Sequence, residues 1–280
     1  MPSVNDRSSQ EITMRMPTFV LAAAAALGLL VPTLGLPTAS SAQELELIQP
    51  GKLLIATEGT YPPFSMRAPN GELDGLEIRV GKEIARRLGL EYSPVIIKWE
   101  TLLIGLAADQ YDFASDAMDI TPERQKEVTF ADGWLESGGR VVTKKDSDIK
   151  KSDDIKGRTV GVIVASTWEK LARERGAEVK TYKAESDALQ DLVNGNIDAV
   201  ITDSIAAAYA IETSKLPLTM TEDYLSHIQK GFPFKKGKPN LVKAVNKALA
   251  DMIADGTYEK LTAEIVGYSP APKEPIRSQF

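Results

Sequence analysis

Phe113-Ala114-Ser115-Asp116-Ala117-Met118-Asp119-Ile120-Thr121-Pro122-Glu123-Arg124 carries the chain from a short apolar run straight into a helix start. Thr121 suits the cap, Pro122 the first helical position, and Glu123 the positive end of the peptide dipoles. Arg124 then stands on the first turn, close to the end of the preceding strand. A fixed guanidinium beside free backbone N–H groups forms a carboxylate site. Alternatively, Arg124 pairs with its own neighbours Asp116 and Asp119.

Working outward, the same strand-then-helix unit recurs. Residues 53–57 and 95–97 read as strands, 77–88 as a helix with one apolar face, 101–108 as a helix, and 111–117 and 139–143 as strands. The polar stretch 144–157 marks a composition shift. A second series follows, with strands at 159–164, 178–182, 198–202 and 227–230 and helices at 167–175, 186–194 and 205–213. Helices over 239–254 and 258–266 close the chain, and the Pro-rich, charged tail 269–280 is expected to fray. Such alternation predicts an α/β fold with mostly parallel sheets. The length is better filled by two sheets of about five strands than by one of ten.

The 280 residues carry a net charge of −6, which argues against nucleic acid or an anionic membrane surface as partner. There are no cysteines, so disulfides, thiolate metal sites and cysteine lipidation are excluded. No histidine cluster or EF-hand loop points to a metal, and no cofactor motif is present. The lone His227 reads as structural, and no G-x-S-x-G elbow accompanies it. Near the start, Arg15 precedes an 18-residue apolar run, 19–36, which closes on Ala39-Ser40-Ser41-Ala42-Gln43. Small residues at Ser40 and Ala42 predict a signal peptide, 1–42, cleaved after Ala42. Asp6 and Glu11 are foreign to such a leader, so translation is open between Met1, Met14 and Met16.

Ligands of open α/β sheets bind beyond the carboxyl ends of strands. That rule selects Glu58 and Tyr61 in Thr57-Glu58-Gly59-Thr60-Tyr61-Pro62-Pro63-Phe64, Trp99, Ser166 and Thr167 at a helix start, and Asp203. The plainer alternatives are a Pro-stiffened turn at 57–64, a core Trp99, and simple helix caps at Ser166 and Asp203.

Together these segments resemble the periplasmic substrate-binding proteins of polar amino-acid ABC importers, bacterial solute-binding protein family 3. The matching pieces run in order over about residues 50–268. They include Asn70-Gly71-Glu72-Leu73-Asp74-Gly75-Leu76-Glu77, residues 118–124, Asp153-Asp154-Ile155-Lys156-Gly157-Arg158-Thr159-Val160-Gly161-Val162, Gly195-Asn196-Ile197-Asp198-Ala199-Val200 and Ala254-Asp255-Gly256-Thr257. The resemblance implies a type II periplasmic binding fold: two Rossmann-like lobes joined by two hinge strands. Lobe 1 would be 43–142 plus 232–280, and lobe 2 143–231. It also implies a soluble monomer in the periplasm that hands an amino acid or amine to a membrane ABC permease.

Carried over by position, Arg124 would pair with the ligand α-carboxylate, with Ser166 and Thr167 donating from the other lobe. Asp203 would receive the α-ammonium. Tyr61 and Trp99 would sandwich the aliphatic part, and Glu58 and Glu77 would face the ligand side chain. Asp116 and Asp119, flanking Ala117, stand where the family has small or hydroxyl residues. They give an acid-rich pocket that favours a basic amino acid, an amino-acid derivative or an amine. Two alternatives use the same fold. One is a cyclohexadienyl dehydratase-like enzyme with Asp116 or Asp119 as proton donor; the other is a soluble sensory module.

Overall fold

Lys52–Thr57 (β1) is an interior strand of the first sheet, and its buried apolar run Leu53 to Ala56 is of the kind that parallel sheets cover on both faces. The computed structural model describes residues 44–280, so the leader reading of 1–42 lies outside the described residues. After β1 come β2 (Met66–Arg67), β3 (Leu73–Asp74), α1 (Leu76–Arg87), β4 (Glu91–Ile96), α2 (Leu102–Ala107), β5 (Phe113–Ala114), α3 (Pro122–Glu127), β6 (Thr129–Phe130) and β7 (Leu135–Lys144). The second series is β8 (Thr159–Ile163), α4 (Thr167–Glu174), β9 (Glu178–Tyr182), α5 (Glu185–Asn194), β10 (Ala199–Asp203), α6 (Ser204–Thr213) and β11 (Leu218–Met220). It ends in β12 (Ser226–Lys230), β13 (Pro233–Phe234), α7 (Pro239–Ala254) and α8 (Thr257–Val266).

The strands form two main sheets, ordered β4-β1-β5-β13-β6 and β11-β7-β10-β8-β9, with β12 paired to β7. Each sheet has apolar clusters on both faces, which makes each lobe a three-layer unit. The sheets are mixed rather than mostly parallel. β1 pairs in parallel with β4 and β5, and β8 with β9 and β10, but β13 and β7 run antiparallel to their neighbours. The antiparallel strands enter where the chain crosses between lobes and returns, a step that alternation of strand and helix does not reveal. β7 and β12 make that crossing as an antiparallel pair, with Ser226 opposite Gly139 and Lys230 opposite Leu135.

The tail does not fray. Glu136 N–H donates to the Pro270 carbonyl, Gly133 N–H to that of Ile276, and the Gln229 side chain bonds both Glu274 and Ile276. Arg277 pairs with Asp132 at 2.6 Å. Proline richness excludes helix and ladder pairing, but it does not exclude being tied down by bonds to neighbouring strands.

Candidate functional site

Loops at the carboxyl ends of β1, β4, β5, β8 and β9 converge with the start of α4 and the end of β12 on one narrow cavity of about 50 Å³. Glu58, Tyr61, Trp99, Asp116, Ala117, Asp119, Arg124, Ser166 and Thr167 line it. Two residues selected from sequence do not. Glu77 is fully buried behind the wall, accepting the Ala117 N–H at 2.7 Å. Asp203 is fully enclosed, with its carboxylate held by Ser137, the Ile205 N–H and the Lys230 ammonium.

Local sequence explains the positions. Thr121 caps α3 by accepting the Arg124 N–H at 3.2 Å, and Pro122 fills the first turn, as the motif requires. Ser166 caps α4 and donates to the Ile163 carbonyl at 2.6 Å, so it is both cap and wall. Ala117 adopts φ 43°, which turns its N–H toward Glu77. A left-handed alanine costs about 1 kcal/mol, offset here by a charge-assisted hydrogen bond when Glu77 is ionised.

Arg124 is not occupied by the aspartate side chains. Its guanidinium donates to the Asp119 backbone carbonyl at 3.1 Å and lies 5.3 Å from the Trp99 ring. No carboxylate of the described residues is within ion-pairing distance of it. Burial lowers its pKa, opposed by the charges of Asp119 and Glu123. The Asp119 side chain instead meets Lys230 and accepts the Thr167 hydroxyl.

The remaining acids lack a cation. Burial, with the charges of Glu77 and Glu58 added, raises the Asp116 carboxyl well above its usual range, and the Glu58 backbone N–H opposes this only weakly. Neither Asp116 oxygen makes a well-formed hydrogen bond. Burial also pushes Glu77 up to about 8 and raises Glu58, which accepts the Trp99 N–H at 2.9 Å. Glu185 is likewise pushed up to about 8 by burial.

The cleft is closed across the lobes. Trp99 donates its indole N–H to the Val164 carbonyl at 3.1 Å, Tyr61 and Thr202 hydroxyls meet at 3.4 Å, and Thr167 reaches Asp119. Lys230, Trp168, Glu185, Lys183, Thr60 and Ile163 also line the cavity and were not selected from sequence. Glu185 opens α5 just beyond β9, so the strand-end rule could have found it. Lys230 ends a strand of mixed polarity, where lysine ordinarily faces solvent, and no sequence signal marks it as buried. Gly139 on β7 gives Trp168 its place: a Cβ there would lie 2.6 Å from the indole ring. His227 is exposed and packs at a tilt against Tyr224, with ring centroids 4.5 Å apart, away from the cavity wall.

No helix among the described residues is long and apolar enough to cross a membrane, and no cluster of potential metal ligands occurs among them. The chain is 35% identical over 221 residues to the L-cystine-binding protein TcyJ of Escherichia coli K12, spanning 78% of this chain and 83% of that one. It is 33% identical over 226 residues to the histidine-binding periplasmic protein of Salmonella typhimurium, spanning 76% and 86%. A solved ancestral amino-acid-binding protein, described as a precursor of cyclohexadienyl dehydratase, superposes with a TM-score of 0.73 at 35% identity, covering 77% of this chain and 96% of that one. Residues 53–268 match the model of bacterial extracellular solute-binding proteins, family 3, and the chain belongs to that family.

Proposed function

We propose that the protein is the periplasmic binding component of an ABC importer. It captures an amino-acid-type carboxylate bearing an additional cationic group and presents it to a membrane permease. The observation that carries this reading is the cleft itself: Arg124 faces it without a carboxylate partner, while Glu58 and Asp116 face it without a base and Glu77 backs them from behind the wall. A ligand with one negative and one positive group would answer both. Trp99 and Tyr61 offer aromatic faces to its aliphatic part.

Lobe 1, 43–142 plus 232–280, and lobe 2, 143–231, close on the ligand by bending at β7 and β12. A ligand that touches both lobes has higher affinity for the closed state, and that difference drives closure. The described contacts of Trp99, Tyr61 and Thr167 across the cleft support this movement. Named relatives of similar length are binding proteins, which supports action by binding alone, without bond chemistry.

A thermal-shift screen of the mature protein tests the reading. Basic amino acids or their derivatives should raise Tm, and Arg124→Ala should weaken that ligand by about 100-fold, the loss expected for a charge-assisted bidentate contact. Stabilisation by neutral or acidic compounds only would reject the cationic preference. Prephenate and arogenate should emerge from incubation unchanged; their turnover would install the dehydratase reading instead.

A further inference from the structure

Lys230 is 2% exposed, and its ammonium lies between carboxylates from two directions: Asp119 on the loop after β5, and Asp203 at the end of β10, at 2.9 Å. Burial lowers the lysine's affinity for a proton, yet the two aspartates more than offset it, so the group is held as a cation. Its backbone is fixed on both sides. Trp134 N–H donates to the Lys230 carbonyl at 3.0 Å, Ile120 N–H to that of Gln229 at 2.9 Å, and Gly231 N–H to that of Met118 at 3.0 Å. The Trp168 ring centroid lies 5.2 Å from the ammonium. Asp203 has no surface left to offer: Ser137, Ile205 and Lys230 take its oxygens, and it is absent from the cavity wall that Lys230 helps to form.

We propose that Lys230 is a specificity-determining residue, standing where an amino-acid ligand would place its α-ammonium, so that the site takes a carboxylic acid with a distal amine or guanidine and gains nothing from an α-amino group. This rests on Arg124 as the carboxylate anchor and on the cationic-ligand reading. An α-ammonium approaching Asp203 would meet the Lys230 charge first. Displacing that lysine would leave a buried cation without its partners, which is strongly unfavourable. Glu58 and Asp116, which line the cavity without a basic partner, remain available to the distal cation.

Isothermal titration of the mature wild-type protein decides the matter without a mutation. Arginine is compared with 5-guanidinopentanoate, and lysine with 6-aminohexanoate; each second compound lacks only the α-amino group. The deaminated acid should bind at least as tightly as its parent. A preference for the α-amino acid of more than about tenfold, the value of one charge-assisted hydrogen bond, overturns the proposal. In Lys230→Met the preference should swing toward the α-amino acid by at least about tenfold. If that variant does not fold, the wild-type ratio stands alone. If only neutral amino acids bind, the cationic-ligand reading fails, and leucine against 4-methylpentanoate reads the Lys230 proposal by the same criterion. Binding of no carboxylate at all overturns both.

Discussion

Asp119 and Asp203 share the ammonium of Lys230, whereas Glu58, Glu77 and Asp116 in the same site have no basic neighbour acting on them. The residue types are alike and all are at least partly buried. What separates the two groups is whether the chain supplies its own cation. Where it does, the carboxylates are tied into the structure by an ion pair. Where it does not, burial drives the acids toward the neutral form, and the charged form waits for a partner from outside. One group therefore holds the molecule together, and the other is left open to recognition.

The comparison can be broken by substitution. Asp119→Ala removes one partner of a buried pair and should cost about 3–5 kcal/mol in urea unfolding; a loss under about 1 kcal/mol would mean the pair is not structural. The open group should show itself through pH. Glu185, like Glu77, is protonated more readily in the folded chain, with a pKa of about 8 against an ordinary 4.5. Its contribution to stability is thus complete below about pH 4.5 and is lost as pH rises through about 8. Wild-type stability should fall over that window, and Glu185→Gln should reduce that fall by up to about 5 kcal/mol. An unchanged slope would mean that the acid is ionised when folded.

Smaller effects sharpen the same contrast. Asp116→Asn replaces a carboxyl that burial biases toward its neutral form, so it should change stability by less than about 1 kcal/mol at pH 7. A loss as large as that of Asp119→Ala would erase the distinction between the groups. Lys170 meets Glu123 across the cleft mouth at 3.0 Å, but both are exposed, and Lys170→Ala should leave Tm unchanged within error.

Much of this was legible in the sequence. The Thr121-Pro122-Glu123 helix start, the burial of β1 and the strand-helix order all follow from capping and periodicity, which are local. The crossing strands were read as strands at 139–143 and 227–230 but without their antiparallel pairing, and the short β2, β3, β6, β11 and β13 were not read, because two- and three-residue strands carry no period. At the site, strand ends located Glu58, Trp99, Ser166 and Thr167 at the cavity wall, since that rule depends on topology alone. Lys230 escaped because its partners lie 111 and 27 positions away, and nothing local distinguishes a buried lysine from a solvated one. The acidity of 116–119 is visible in the composition, but its division into a paired and an unpaired half depends on that one distant residue.

The tail makes the chain's end a mechanical element. Residues 270–278 are bonded to Glu136 on β7, to Gln229 on β12 and to Asp132 just ahead of β7, so they strap both crossing strands at once. An affinity tag placed behind Phe280 would pull on that strap, and purification handles belong elsewhere. If the crossing strands bend on closure, a fluorescent reporter fused there would report that bending through the bonds of residues 270–278.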